Sequence, residues 1–130
     1  AFGMYNNKIK NATSRADWLL YNEEERDKYL NDPHIPAQIT ASLMYELLSG
    51  MINCVSKKAK TASLAPVYIL SGSDDAVSEY GKNIKTTVNL MTKQGFNIKD
   101  IVIFNNMRHD ILHEKDNIKV LDYIYEAITH

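Results

Sequence analysis

Two short, unbroken apolar runs constrain this chain more than any other feature: Val67-Tyr68-Ile69-Leu70 and Ile101-Val102-Ile103-Phe104. Each is rich in β-branched and aromatic residues, and each stops at a polar turn, Ser71-Gly72-Ser73-Asp74-Asp75 after the first and Asn105-Asn106 after the second. Between them, Tyr80 to Lys93 places Ile84, Val88 and Met91 on one helical face, and Gly95 suits the left-handed position past a helix end. A last helix is predicted from about Asp116 to Ile128, with Ile118, Leu121, Ile124, Tyr125 and Ile128 inward. Apolar strands that alternate with helices are expected to pair in parallel and to be buried on both faces. The expected fold class is therefore α/β, with two parallel strands over about 66–72 and 100–105 and helices beside them.

The first half is patterned differently. Residues 1–35 show weak periodicity and read as loops with one short helix, in which Asn22 caps Glu23 to Leu30 and Asn31-Asp32-Pro33 ends it. A longer helix is predicted over 38–58, where Leu43, Met44, Leu47, Leu48, Met51, Ile52 and Val55 form one apolar face that reads most simply as core. Lys57, Lys58 and Lys60 suit its negative C-terminal end. These features divide the chain into residues 1–60, loops and helices, and residues 61–130, the strand–helix–strand–helix part of one structural unit.

Composition excludes several classes. The 130 residues carry 15 basic and 16 acidic side chains, so no global field attracts nucleic acid, and no nucleic-acid partner is expected. The single cysteine, Cys54, rules out an intrachain disulfide and a CxxC redox site, and its place near the apolar face of the 38–58 helix predicts a buried thiol. No apolar run approaches the roughly 20 residues that span a bilayer. No signal peptide opens the sequence, and a cytoplasmic location is expected. The first residue is Ala rather than Met, as in a trimmed or cut product. His109-Asp110-Ile111-Leu112-His113 imitates a zinc motif, but it follows a strand and has Asp where the motif has Glu, so no metal is expected and His113 reads as a residue leading into the last helix. No cofactor is implied.

The chemistry-bearing residues gather at the strand ends. Parallel strands emerge at one sheet edge, where α/β proteins bind ligands. Asp74 and Asp75 follow the first strand; Arg108, His109, Asp110 and His113 follow the second. Adjacent strands lie only about 4.8 Å apart, so a carboxylate and an imidazole distant in sequence can hydrogen-bond. Such a pair is the orienting half of a nucleophile–His–acid triad.

The segment from Ser71 to Gly81 resembles the acid-bearing loop of serine α/β-hydrolases of the monoacylglycerol lipase and lysophospholipase group, which typically reads Ser-Gly-x-x-Asp-Pro-Val-x-x-Tyr-Gly. Asn106 to Glu114 resembles their His loop, approximately Ala-Arg/Tyr-His-x-x-x-x-Glu, and Ala1 to Asn6 with Asp17-Trp18-Leu19 resembles the segment after the lid of bacterial members. The resemblance implies that Asp75 is the triad acid and His109 the base, with Asp74 as the competing acid one residue away. It also implies that Val77 lies near the acyl pocket and that the substrate is a small lipid ester. Ala76 stands where the family usually has Pro.

The family nucleophile sits in a Gly-x-Ser-x-Gly elbow ahead of the acid. None of the eight serines here has glycines two residues to either side. The chain therefore reads as the C-terminal part of an ester hydrolase, with the end of its lid, expected to be inactive alone. Exposed sheet edges predict that it self-associates. The alternatives are a non-catalytic binding or assembly module, or one half of a split hydrolase.

Overall fold

The computed structural model describes residues 3–35, 39–54 and 65–129. Seven elements follow in order: α1 (Gly3–Asn6), α2 (Glu23–Asn31), α3 (Ala41–Cys54), β1 (Pro66–Gly72), α4 (Ile84–Lys93), β2 (Asn97–Phe104) and α5 (Ile118–Thr129). β1 and β2 pair in parallel, with Ile69 opposite Ile101 and Gly72 opposite Phe104. The strand positions match the sequence reading, except that β2 starts three residues earlier than the expected 100, and its register is irregular opposite Val67 and Tyr68.

Local chemistry sets the helix ends. α2 opens with Glu23, Glu24 and Glu25 at the positive end of its dipole, and Lys28 bridges to Glu24 at 3.0 Å and Glu25 at 2.7 Å. Asp32 is extended, as expected for a residue before proline. Asn22 occupies the N-cap position but makes no capping bond; its side-chain amide donates to the His113 carbonyl at 3.0 Å. The tertiary partner has displaced the local one. α3 starts later than predicted, where the Thr40 hydroxyl accepts the Leu43 N–H at 3.1 Å. Val55 and the three lysines read at its end lie outside the described residues. α4 closes with the Phe96 N–H on the Met91 carbonyl and the Gly95 N–H on that of Thr92, with Gly95 at φ 94°, as predicted for that glycine.

Four burial expectations are corrected. The α3 stripe is open: Leu43, Leu47, Leu48, Met51 and Ile52 are all exposed, and so is Cys54, which is not a buried thiol. In α5, Ile118, Leu121, Tyr125 and Ile128 are exposed rather than inward. The residue that turns in is Val120, fully buried, while Tyr123 meets Tyr68 and Phe104 edge-on, each at 6.3 Å. Nor is the sheet buried on both faces, since Ile101 and Ile103 are exposed. An amphipathic pattern reports which face has to be covered; among the described residues nothing covers all of these faces.

The main apolar cluster lies instead in the weakly patterned first half. Trp18, Leu19, Leu20 and Ala76 form it, with Tyr5, Ile9, Tyr29 and Val77 packed against them. This cluster joins the 16–20 segment to the loop after β1, and so supports the sheet edge where both strands end. No helix among the described residues is long and apolar enough to cross a membrane.

Candidate active site

Both polar loops leave the sheet at the C-terminal ends of paired strands, and backbone bonds interlock them. The Ser73 N–H donates to the Phe104 carbonyl and the Asp74 N–H to that of Met107, each at 2.9 Å. The Asn106 N–H donates back to the Ser73 hydroxyl at 3.0 Å. The crossing is so close that a Cβ on Gly72 would lie 2.2 Å from the carbonyl oxygens of both Met107 and Arg108. Only glycine fits there.

Beyond the crossing, the β1 loop curls tightly. The Tyr80 N–H reaches the Asp75 carbonyl at 2.9 Å, and Glu79, Tyr80 and Gly81 all take positive φ. The periodicity that suggested a helix from Tyr80 is therefore broken, and α4 starts at Ile84. Within this curl the Asp75 carboxylate is buried. Its Oδ1 accepts the Val77 N–H at 2.8 Å and lies 3.1 Å from Nδ1 of His109. Asp75 is buried, whereas the His109 side chain keeps 41% of its accessibility.

The structure thus brings together two of the residues singled out in the sequence and separates the third. Asp74 faces another way, accepting from the Tyr21 hydroxyl at 2.8 Å and the Ser73 hydroxyl at 3.0 Å. Val77 helps through its backbone, and its side chain packs against the cluster of Trp18, Leu19, Leu20 and Ala76. His113 sits in the turn before α5, with Nδ1 2.8 Å from Asp110. Among the described residues no group of three or more His, Cys, Asp or Glu is placed to hold a metal ion.

The electrostatics follow from this packing. Burial would raise the Asp75 carboxyl, but the hydrogen bonds from His109, the Val77 N–H and Ser78 outweigh it and hold the group below the usual carboxylate range. His109 is shifted up: its hydrogen bond to Asp75 dominates over burial, and the charges of Asp75 and Asp110 add to it. The arrangement favours an imidazolium next to a carboxylate.

Two residues without an assigned role shape the site. The Trp18 ring lies 5.3 Å from the His109 ring, tilted by 40°. The buried Glu114 carboxylate accepts the N–H groups of Arg108 at 2.9 Å, Tyr21 at 2.9 and 3.0 Å, and Asn22 at 3.3 Å. Its fixed spacing after His109 in the His-loop pattern was the available signal.

The sequence profile of the family described as serine aminopeptidase, S33, a hydrolase family, matches residues 3–116. The chain belongs to this family. The S33 match spans both loops of the Asp75–His109 pair. In structure, the chain is similar to a highly thermostable carboxyl esterase from Bacillus coagulans solved in complex with glycerol, with a TM-score of 0.78 and 21% identity. The alignment covers 98% of this chain and 41% of the esterase, so the S33 chain corresponds to part of an α/β-hydrolase fold. No curated protein matches the sequence significantly.

Proposed function

We propose that this chain is the acid–base part of a serine hydrolase that cleaves carboxylic esters, and the observation that carries the reading is the Asp75–His109 pair at the shared end of two parallel strands. His109 holds Nδ1 toward Asp75, which leaves Nε2 as the ring nitrogen that takes a proton. In this reading Nε2 removes the proton from a serine hydroxyl as it attacks the ester carbonyl. The imidazolium then gives that proton to the departing alcohol. Asp75 stays ionised throughout, fixing the tautomer and stabilising the imidazolium. The serine and the oxyanion donors lie on a segment outside these 130 residues, because no Gly-x-Ser-x-Gly elbow occurs in them. The chain alone is therefore inactive.

Monoacylglycerols or lysophospholipids are the proposed substrate class, through the resemblance of the two loops, with Val77 beside the acyl pocket. The structural likeness to a carboxyl esterase supports an ester rather than another acyl bond.

Fluorophosphonate labelling read by intact mass tests the proposal. The 130-residue chain stays unlabelled, and a longer chain that includes the elbow is labelled in a His109-dependent manner. Labelling of the short chain would overturn the placement of the nucleophile. Silence of both would favour a non-catalytic module, and capture of a separate elbow-bearing chain would favour a split enzyme.

A further inference from the structure

Glu114 is a buried carboxylate with an unusual set of partners: three backbone N–H groups from two distant segments. Its Oε1 alone accepts from both Tyr21 and Arg108, each at 2.9 Å. Tyr21 is three residues from Trp18, and Arg108 is the residue before His109. Further bonds join the same two segments. The Asp110 N–H donates to the Leu19 carbonyl at 2.8 Å, the Arg108 guanidinium donates to the Asp17 carbonyl, and that guanidinium lies 3.8 Å over the Tyr21 ring. His109 is thus fastened through its neighbours on both sides to the stretch that carries Trp18.

The consequence concerns the imidazole. The Trp18 ring meets it at 5.3 Å, within the distance at which an indole face attracts a cation. An imidazolium formed on His109 then has both the Asp75 carboxylate and the Trp18 ring as neighbours. We propose that Glu114 is a positioning residue for His109: it ties the 18–22 segment to the His loop and so keeps the Trp18 ring against the imidazole. The proposal rests on the reading of His109 as the proton-transferring group, which the labelling experiment tests separately.

Trp18 is the sole tryptophan, which gives a direct readout in the 130-residue chain. An imidazolium in contact with indole quenches its fluorescence far more than neutral imidazole does. The charged groups that act on His109 are Asp75 and Asp110, and neither is altered in the test. Trp18 emission in the parent chain falls as pH drops through the His109 titration, and His109→Asn abolishes the change. Glu114→Leu removes the acceptor and loses most of the pH-dependent quench. Glu114→Gln retains most of it, because its one oxygen still accepts from Tyr21 and Arg108 and only the longer Asn22 contact at 3.3 Å loses its acceptor. A folded Glu114→Leu variant that titrates like the parent overturns the proposal, and so does loss of the quench in a folded Glu114→Gln. Should Glu114→Leu fail to fold, hydrogen exchange of the parent decides. The Tyr21 and Arg108 amides must be protected at least about tenfold over free-peptide rates, and unprotected amides overturn the proposal.

Discussion

The loop crossing at Gly72 gives the sharpest test of how the site is built. In Gly72→Ala the new methyl carbon would lie 2.2 Å from two carbonyl oxygens and 2.5 Å from the Met107 carbonyl carbon. All three are backbone atoms, so no rotamer change relieves the clash. The loops must separate by about 1 Å to restore an acceptable contact. That movement breaks the bonds from Ser73 to Phe104 and from Asp74 to Met107, both 2.9 Å. Overpacking costs about 1–3 kcal/mol, and each buried backbone bond lost adds about 1–3 kcal/mol, so a net loss of about 2–5 kcal/mol follows after partial relaxation. With a urea m-value near 2 kcal/mol/M, the midpoint should fall by about 1–2.5 M. The same movement lengthens the 3.1 Å Asp75–His109 contact beyond hydrogen-bond range. A longer chain carrying the nucleophile should then lose about 100-fold in kcat. The control is Gly50→Ala, where no atom lies within 4 Å of the added carbon and a helix-interior alanine should stabilise slightly. Equal urea midpoints for Gly72→Ala and the parent, with His109 titrating normally, would refute the steric argument.

Four further outcomes are expected. Asp75→Asn should bring the His109 titration, followed by NMR, back down toward the ordinary imidazole value, because the Asp75 hydrogen bond is the main cause of the upward shift. The pair's contribution to stability has a defined window. The raised imidazole stabilises fully below its unfolded value of 6.5 and loses this as pH rises through its folded value. The lowered carboxyl stabilises above 3.8 and loses this as pH falls through its own folded value, so the difference between parent and Asp75→Asn should be greatest between 3.8 and 6.5; a pH-independent difference in urea midpoint would count against the pair. Cys54 is exposed, so a maleimide should modify it in the native 130-residue chain as fast as in urea, and marked protection would contradict its placement. The open strand edges and the exposed apolar stripes of α3 and α5 should drive self-association, and a monodisperse monomer by light scattering would exclude it.

The parts legible in the sequence were those with long or unbroken patterns. The apolar runs at 67–70 and 101–104 were β-rich and too short for helices, and their turns carried the Asp and His that the sheet brings together. The choice of Asp75 over Asp74 as the partner of His109 was not legible in spacing. It depends on tertiary partners, the Tyr21 hydroxyl on Asp74 and the Val77 N–H on Asp75, which spacing does not show. The 16–20 core was hidden because Trp18-Leu19-Leu20 is a contiguous apolar triplet with neither strand nor helix period. Glu114 could not be read as a clamp, because its partners are backbone N–H groups that any sequence would offer. The α3 and α5 stripes were correctly patterned yet wrongly placed inside, since periodicity identifies an apolar face without naming what covers it.

These observations separate two tasks that a hydrolase fold usually performs together. The contacts nearest the Asp75–His109 pair come from residues 17–22, 72–80 and 104–114: the Gly72 crossing, the Val77 N–H, the Glu114 clamp and the Trp18 ring, which Asn6 and Arg15 hold in turn. The uncovered apolar surface lies elsewhere, on α3, on Ile101 and Ile103, and on α5. The Asp75–His109 contact is therefore held by loops that also hold one another, with no flanking strand among the described residues. On the proposed reading, the remaining segment has to bring a serine and oxyanion donors to a pair that is already oriented, and to cover the open faces. Substitutions on those faces should then alter assembly while the His109 titration stays unchanged, whereas Gly72 and Glu114 variants should move the titration or its fluorescence signature first.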